Sequence, residues 1–255
     1  MKIACIGSIG DQAAADLLVT AIYLAREGLD VSFVGIVEDE IDKNRLAWEG
    51  VNTDLLLQKT AKDFFSEEGL ATVSSELSQC NYIFVTGQVL SLLSDEERER
   101  LINTLKSLRG SGTKIVFDCN HSAARWDDER SATKAYTALI AITDISLPNY
   151  EEESALFMDE STAALIARHH ALGVPEIALK NGIRPNWLST KPEKSPKEFP
   201  VERIEQVVDD SGVGEAFNAA YVATRISGRT YCGSVEQGQL LAAKVVQFPG
   251  AILPK

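Results

Sequence analysis

The chain has 255 residues, 45% of them hydrophobic, so residues 1–255 can bury one large core and are expected to form a single domain. Its net charge of −12 argues against nucleic acid or an anionic membrane as a partner, because both carry negative charge themselves. No apolar run has the roughly 20 residues that a membrane-spanning helix needs, and no CxxC pair is present. The four cysteines are therefore expected to be buried thiols in a reducing cytoplasm.

Short apolar runs alternate with helical patterns along the whole chain. The predicted strands are residues 3–7, 31–37, 82–86, 114–118, 145–147 and 177–179, with residues 187–190 as a small antiparallel edge strand. The predicted helices include residues 13–27, 38–48, 94–109, 214–226 and 234–247, with an acidic helical stretch at 62–79. This alternation predicts an α/β fold whose mainly parallel sheet is covered on both faces. Right-handed crossovers then place a site at the carboxyl ends of the strands.

Two segments near the end of the chain interrupt this alternation. Residues 191–200 contain three prolines and three lysines, which predicts a solvated surface loop. Val207 and Val208 follow a polar run and are interpreted as the end of a short strand.

A glycine-rich turn follows these two valines. Gly212 and Gly214 flank Val213, and an apolar helical pattern begins directly after Glu215. A glycine turn that opens a helix leaves backbone N–H groups pointing outward at the positive end of the helix dipole, which favours an anion. An acid at the mouth of such a site is locally unfavourable, and a base beside a transferring phosphoryl group would explain it. The alternative is a tight turn with Glu215 favouring the helix dipole.

The residue sequence of this turn also resembles a known family motif. Residues 209–218, Asp-Asp-Ser-Gly-Val-Gly-Glu-Ala-Phe-Asn, resemble the D-T-T-G-A-G-D-A-F-N signature of the ribokinase-like (PfkB) carbohydrate kinases. The resemblance implies a three-layer α/β/α sandwich in which Gly212, Val213 and Gly214 hold phosphate charge. It also implies that Glu215 deprotonates the sugar hydroxyl, although the family has aspartate at this position.

Three further segments are similar to the same family in the same order: P-N-x-x-E at 148–152, K-x-G at 180–182 and the closing G-A turn at 250–251. The resemblance implies ATP and Mg²⁺, with Mg²⁺ organised through water by Asn149 and Glu152. It implies a nucleotide site bordered by Lys180, Gly182, Asp209, Gln247, Gly250 and Ala251. From the residues alone, Asn149 is an ordinary helix cap and 180–182 a strand-to-turn junction.

Residues 82–87 and 114–126 are most similar to the corresponding segments of 2-keto-3-deoxygluconate kinases. Residues 114–126 resemble the F-D-x-N-x-R-x-x-L-W pattern of those enzymes. This resemblance implies a sugar or sugar-acid substrate held by Asp16, Asp118, Asn120 and Arg125. The chain also departs from the family. Of the family's G-G-D-x-x-N sugar-binding turn, only Asp16 remains. At the position where the family has the arginine that pairs with the substrate carboxylate, this chain has Ser122.

Two segments that form the family's lid are shortened, which predicts a lid sheet that is reduced or absent. Three hypotheses follow: a divergent carbohydrate kinase, a degenerate homologue that binds nucleotide or ligand without turnover, and a lidless kinase of another small molecule, as in the vitamin-precursor branch of the superfamily. Because the lid often makes the dimer interface, the chain is expected to be a monomer or a homodimer.

Overall fold

The computed structural model describes residues 1–9, 15–37, 40–57, 60–191 and 195–255. Its strands are β1 (Lys2–Ile9), β2 (Asp30–Val37), β3 (Leu56–Leu57), β4 (Tyr82–Thr86), β5 (Lys114–Asp118), β6 (Ile145–Ser146), β7 (Glu176–Leu179), β8 (Asn186–Thr190) and β9 (Lys197–Phe199). Its helices are α1 (Ala15–Arg26), α2 (Glu40–Trp48), α3 (Ala61–Phe64), α4 (Glu67–Leu77), α5 (Gly87–Ser91), α6 (Asp95–Gly110), α7 (Glu129–Ile140), α8 (Tyr150–Phe157), α9 (Thr162–Ala171), α10 (Val213–Ile226) and α11 (Tyr231–Val245), with a 3₁₀ turn at Ala123–Arg125.

All described strands belong to one nine-stranded sheet with the order β3-β2-β1-β4-β5-β6-β7-β8-β9. The strands from β3 to β7 are parallel, and β8 and β9 are antiparallel. One hydrophobic core packs the sheet against α3 to α9, and a second packs it against α1, α2, α10 and α11. The fold is therefore a three-layer α/β sandwich, as predicted, and the described residues contain no separate lid sheet.

The central strands are apolar on both faces because helices cover both. In β4, Val85 contributes to the first core and Phe84 to the second. This burial explains why residues 82–86 and 114–118 could be predicted from their apolar runs with the same ends that the structure has. The predicted helix starts at residues 13–14 and 38–39 lie outside the described residues.

The far edge of the sheet differs from the prediction. Residues 186–190 form an antiparallel strand, but β9 pairs outside it, so β8 is not the edge strand. The prediction of a surface loop at 191–200 was wrong at Lys197–Phe199, which is β9. Lys197 and Glu198 are exposed and only Phe199 packs on the second core, so the segment has no apolar pattern that marks a strand.

Two smaller expectations also fail. Val207 and Val208 are not in a strand; their side chains are 63% and 56% exposed, and the Val208 N–H donates to Val246 O at 2.9 Å. Cys232 is only half-buried, because it lies in the first turn of α11, whereas the other three cysteines are buried. No helix of the described chain is long and apolar enough to cross a bilayer.

Helix α10 is fixed to the sheet by polar as well as apolar contacts. Tyr221 donates its hydroxyl to Glu176 Oε1 at 2.7 Å, and Arg225 Nε donates to the same oxygen at 2.8 Å. These bonds join α10 to β7. The first turn of α10 is thereby held over the carboxyl ends of the central strands.

Candidate active site

The glycine turn at the start of α10 has a backbone that only glycine adopts easily. Gly212 is the residue before the helix and has φ 75°, in the left-handed region. A Cβ at this position would lie 2.7 Å from both Cβ and O of Ala251. No described side chain caps the helix, and the Val213 N–H makes only a long hydrogen bond of 3.4 Å to Asp210 O, so the start of the helix can still present backbone N–H groups to a ligand.

Asp209 holds the turn against the C-terminal segment. Its Oδ2 accepts from the Gly250 N–H at 2.8 Å, and its Oδ1 accepts from the Ser211 N–H at 2.9 Å. These backbone donors lower the pKa of Asp209, so it stays ionised. Asp209, Gly250 and Ala251 thus shape the glycine turn. Gln247 is exposed, lies in the turn after α11, and donates from Nε2 to Ala243 O in that helix at 2.6 Å.

Asp118 is the central acid of the site. It lies buried at the end of β5, where Oδ1 accepts from Lys180 Nζ at 3.2 Å and Oδ2 accepts from Asn218 Nδ2 at 2.7 Å. Burial alone would lower the pKa of Lys180, but the surrounding carboxylates Asp118, Glu152 and Glu215 raise it overall. Lys180 is therefore a charged ammonium between three acids.

Glu215 lies in the first turn of α10, facing this cluster. The side chain is half-buried, and its pKa is raised to about 7, first by burial and then by the charge of Asp16, against the opposing effect of Lys180. A Cβ at Gly214 would lie 3.9 Å from Lys180 Nζ, so the ammonium lies close to the glycine turn. A carboxyl group with such a pKa can accept a proton at neutral pH.

Glu152 occupies the neighbouring strand end, in the first turn of α8. Burial, followed by the charge of Asp118, raises its pKa to about 7, and its Oε2 accepts from the His121 N–H at 3.1 Å. Asn149 Oδ1 caps the same helix by accepting from the Glu151 N–H at 3.0 Å, as the residues alone predict. The backbone of Asn149 pairs with that of Lys180, which brings α8 beside β7.

Glu152 is the candidate metal ligand of this site. Within the described ranges, no three His, Cys, Asp or Glu side chains are close enough to hold a metal ion by themselves. Isolated oxygen donors such as Glu152 fit Mg²⁺, which keeps several waters and takes phosphate oxygens as further ligands. The residues therefore fit a hydrated Mg²⁺ bound together with a nucleotide.

Asp16 and Asn120 form a polar pair at the opposite side of the cluster. Asn120, which has φ 40°, donates from Nδ2 to Asp16 Oδ2 at 3.1 Å. Burial raises the pKa of Asp16, although Asn120, Arg125 and Lys180 oppose this. Arg125 lies on the 3₁₀ turn, half-buried, and its charge acts on Asp16.

The structure thus brings most of the predicted residues to one edge of the sheet. Gly182, with φ 61°, continues this edge directly after β7. Asp16, Asp118, Lys180 and Glu215 are linked by direct contacts or by their mutual effects on pKa. The side chain of Gln247 instead bonds to the preceding helix α11.

Sequence reasoning missed three polar residues around this cluster. Asn218 holds Asp118 and belongs to the quoted motif, so its spacing from Glu215 was a usable signal. Buried Glu153 lies 2.7 Å from His169 Nε2 and pairs with Arg168 Nη2 at 2.8 Å, which joins α8 to α9. Although burial opposes it, these partners lower the pKa of Glu153. The third missed residue, Gln88, has no signal in the sequence.

The family model described as pfkB family carbohydrate kinase matches residues 1–255.

The chain belongs to the pfkB family of carbohydrate kinases.

Curated relatives carry sugar-acid kinase names. The 2-dehydro-3-deoxygluconokinase of Dickeya dadantii (strain 3937) is 28% identical over 276 residues, which are 94% of this chain and 89% of that protein. The enzyme of the same name from Haemophilus influenzae is 30% identical over 198 residues, or 78% of this chain and 63% of that protein.

Solved structures share the fold. An Escherichia coli protein assigned as ribokinase II, solved with ATP and Mg²⁺, superimposes with a TM-score of 0.79 at 18% identity, covering 98% of this chain and 94% of that one. Fructokinase from Vibrio cholerae O395, with fructose, ADP and calcium, gives a TM-score of 0.80 at 15% identity and the same coverage. At these identities the likeness shows the ribokinase-like fold of this pfkB-family chain.

Proposed function

We propose that this protein transfers the γ-phosphoryl group of ATP to a hydroxyl group of a sugar acid such as 2-keto-3-deoxygluconate. The observation that carries the proposal is the Glu215 carboxyl group, which faces Asp16, Asp118 and Lys180 in the first turn of α10 and has a pKa of about 7. The names of the curated relatives support the choice of a sugar acid.

In this proposal Glu215 would accept the proton of the acceptor hydroxyl group. The hydroxyl oxygen would bond to the γ-phosphorus as the bond between that phosphorus and the ADP oxygen breaks. The N–H groups of Val213 and Gly214, at the uncapped end of α10, bind the negative charge of the transferring group. Phosphoryl transfer depends mainly on such positioning and charge stabilisation. Asp16, Asn120 and Arg125 hold the acceptor.

In this proposal the nucleotide and its metal would lie at the carboxyl ends of β6 and β7, beside Glu215. We place the nucleotide along Lys180, Gly182 and the 250–251 turn, and the hydrated Mg²⁺ near Glu152 and Asn149. Bound Mg²⁺ would neutralise phosphate charge. Mg²⁺ would also offset the burial and the nearby charge of Asp118, which together raise the pKa of Glu152 to about 7.

The proposal extends to the state of the protein in the cell. Because ATP is the donor and all four cysteines are free thiols, we place the protein in the cytoplasm. Residues 1–255 act as one domain, as a monomer or a homodimer, and the partner is a small sugar molecule, with no nucleic acid or membrane involved.

A second candidate is a homologue that binds nucleotide or ligand without turnover. It is favoured by Glu215 itself, whose side chain is one methylene longer than the aspartate that the family has at this position. A displacement of the base by ~1 Å can cost roughly 100-fold in rate. Nucleotide binding without ADP release would select this candidate.

The proposal is tested by ADP release coupled to a dye-linked assay, with 2-keto-3-deoxygluconate and fructose as alternative acceptors, beside thermal shifts with ATP and ADP. We expect acceptor-dependent ADP release that is faster with the sugar acid. Stabilisation by nucleotide without release would contradict it and support the binding homologue.

The same assay gives a pH dependence. Since the base must be unprotonated to accept a proton, kcat/KM should rise with pH and level off above a midpoint at about 7. The midpoint belongs to the interacting carboxyls Glu215 and Glu152 together, because both titrate in this range. A rate that falls as the pH increases through neutrality would argue against a carboxylate base.

A further inference from the structure

Gln88 is a buried amide whose donor has no partner. The residue lies in the first turn of the short helix α5 and is only 6% exposed. Its Nε2 makes no hydrogen bond to any described residue. A buried donor without a partner costs free energy, so it is normally explained by a water or by a ligand.

The amide borders a cavity at the carboxyl ends of β1 and β4. The cavity has a volume of about 10 Å³ and is lined by Gly7, Ser8, Leu17, Thr86 and Gln88, among others. This volume is about that of one probe sphere, so it holds a single water or a single oxygen atom of a ligand. The lining combines apolar walls with an unsatisfied donor, which is the composition of a pocket that binds one polar atom.

The cavity lies beside the residues proposed to hold the acceptor. Gly87 packs so closely on the chain after β5 that a Cβ would lie 1.9 Å from Cys119 O, and Asn120 follows Cys119 directly. Thr86 is the register partner of Asp118. On the other wall, Leu17 follows Asp16, the hydrogen-bond partner of Asn120. Gln88 is therefore held at the same strand ends as these polar residues.

We propose that Gln88 determines acceptor specificity by donating a hydrogen bond from Nε2 to a carbonyl or carboxylate oxygen of the acceptor molecule. This inference rests on the proposed function and deepens it. It supplies a donor for an oxygen-rich acid in a chain that has serine at position 122, where the family has arginine. A neutral amide favours an oxygen that only accepts hydrogen bonds, as in the keto or carboxylate group of a sugar acid.

The test uses the full chain with three substitutions. Gln88→Met keeps the length of the side chain and removes the donor, and Gln88→Glu replaces the donor by a charged acceptor. Gln79→Met, at an exposed position on the turn after α4, is the matched control. We expect Gln88→Met to raise the KM for 2-keto-3-deoxygluconate about tenfold, with the KM for ATP unchanged, and Gln88→Glu to raise it further.

A stability measurement separates recognition from packing. Because Gln88→Met removes an unsatisfied donor, its thermal midpoint should equal or exceed that of the wild type. An unchanged KM for the acceptor would overturn the proposal, as would a loss of stability with equal effects on both substrates.

A direct measurement of acceptor binding tests the role of Gln88 without requiring turnover. Calorimetric titration of 2-keto-3-deoxygluconate into the wild type and Gln88→Met, each with ADP, should give about tenfold weaker binding for the variant. That difference supports Gln88 even when no phosphoryl transfer is observed, in which case only the proposed function fails. If the wild type binds neither 2-keto-3-deoxygluconate nor fructose, the role of Gln88 is rejected.

Discussion

Glu215→Gln is expected to lower kcat by about 100-fold or more, because the amide has the same shape as the carboxylate but cannot accept the proton. The KM for ATP should stay the same, since the N–H groups at the start of α10 are unaffected. Steady-state ADP release with saturating 2-keto-3-deoxygluconate measures the effect. Glu236→Gln removes the same charge from an exposed position on α11 and should leave turnover unchanged.

Glu215→Asp separates the two candidate functions. For an active enzyme tuned to glutamate, shortening the side chain moves the base by ~1 Å and should lower kcat, by roughly 100-fold at most. An inactive wild type that gains turnover as Glu215→Asp would instead show an intact phosphate site with a misplaced base. Equal rates for the wild type and Glu215→Gln would remove Glu215 from the reaction.

Lys180→Met is expected to destabilise the protein by about 3 kcal/mol, since it leaves the buried carboxylate of Asp118 without its cation. It should also move the midpoint of the pH–rate profile to higher pH, because Lys180 lowers the pKa of Glu215. Urea unfolding and the pH dependence of kcat/KM check the two effects.

A double variant tests whether the ion pair is the cause. Asp118→Asn combined with Lys180→Met removes both charges, so it should recover part of the stability that Lys180→Met loses. If the two losses simply add, or if the midpoint stays near its wild-type position, then Lys180 does not act through its ammonium.

How far the sequence predicts this molecule depends on how local each signal is. The strand at 114–118 could be predicted because a strand buried on both faces is an uninterrupted apolar run. Strands β3 and β9 could not, since two residues are too few for a pattern and Lys197 and Glu198 are exposed. These strands depend on backbone partners from a neighbouring strand and on the packing of Leu56 and Phe199 at the second core.

The residues of the candidate active site also differ in how far the sequence alone predicts them. The glycine turn and Glu215 are contiguous, so their spacing alone predicts a helix start, with an anion site as one of two interpretations. The roles of Asn218, Glu153 and Gln88 depend on partners or cavities contributed by distant segments. Likewise, the raised pKa of Glu215 comes from burial and from Asp16, which is about 200 positions away in the chain.

Transfer of ³²P from γ-labelled ATP to 2-keto-3-deoxygluconate, followed by chromatography of the sugar product at neutral pH, tests the central claim most directly. The proposed mechanism predicts a labelled sugar acid with the wild type and at most trace labelling with Glu215→Gln. Absence of labelled product at saturating nucleotide and acceptor, from a protein whose nucleotide binding is demonstrated by thermal shift, would contradict it.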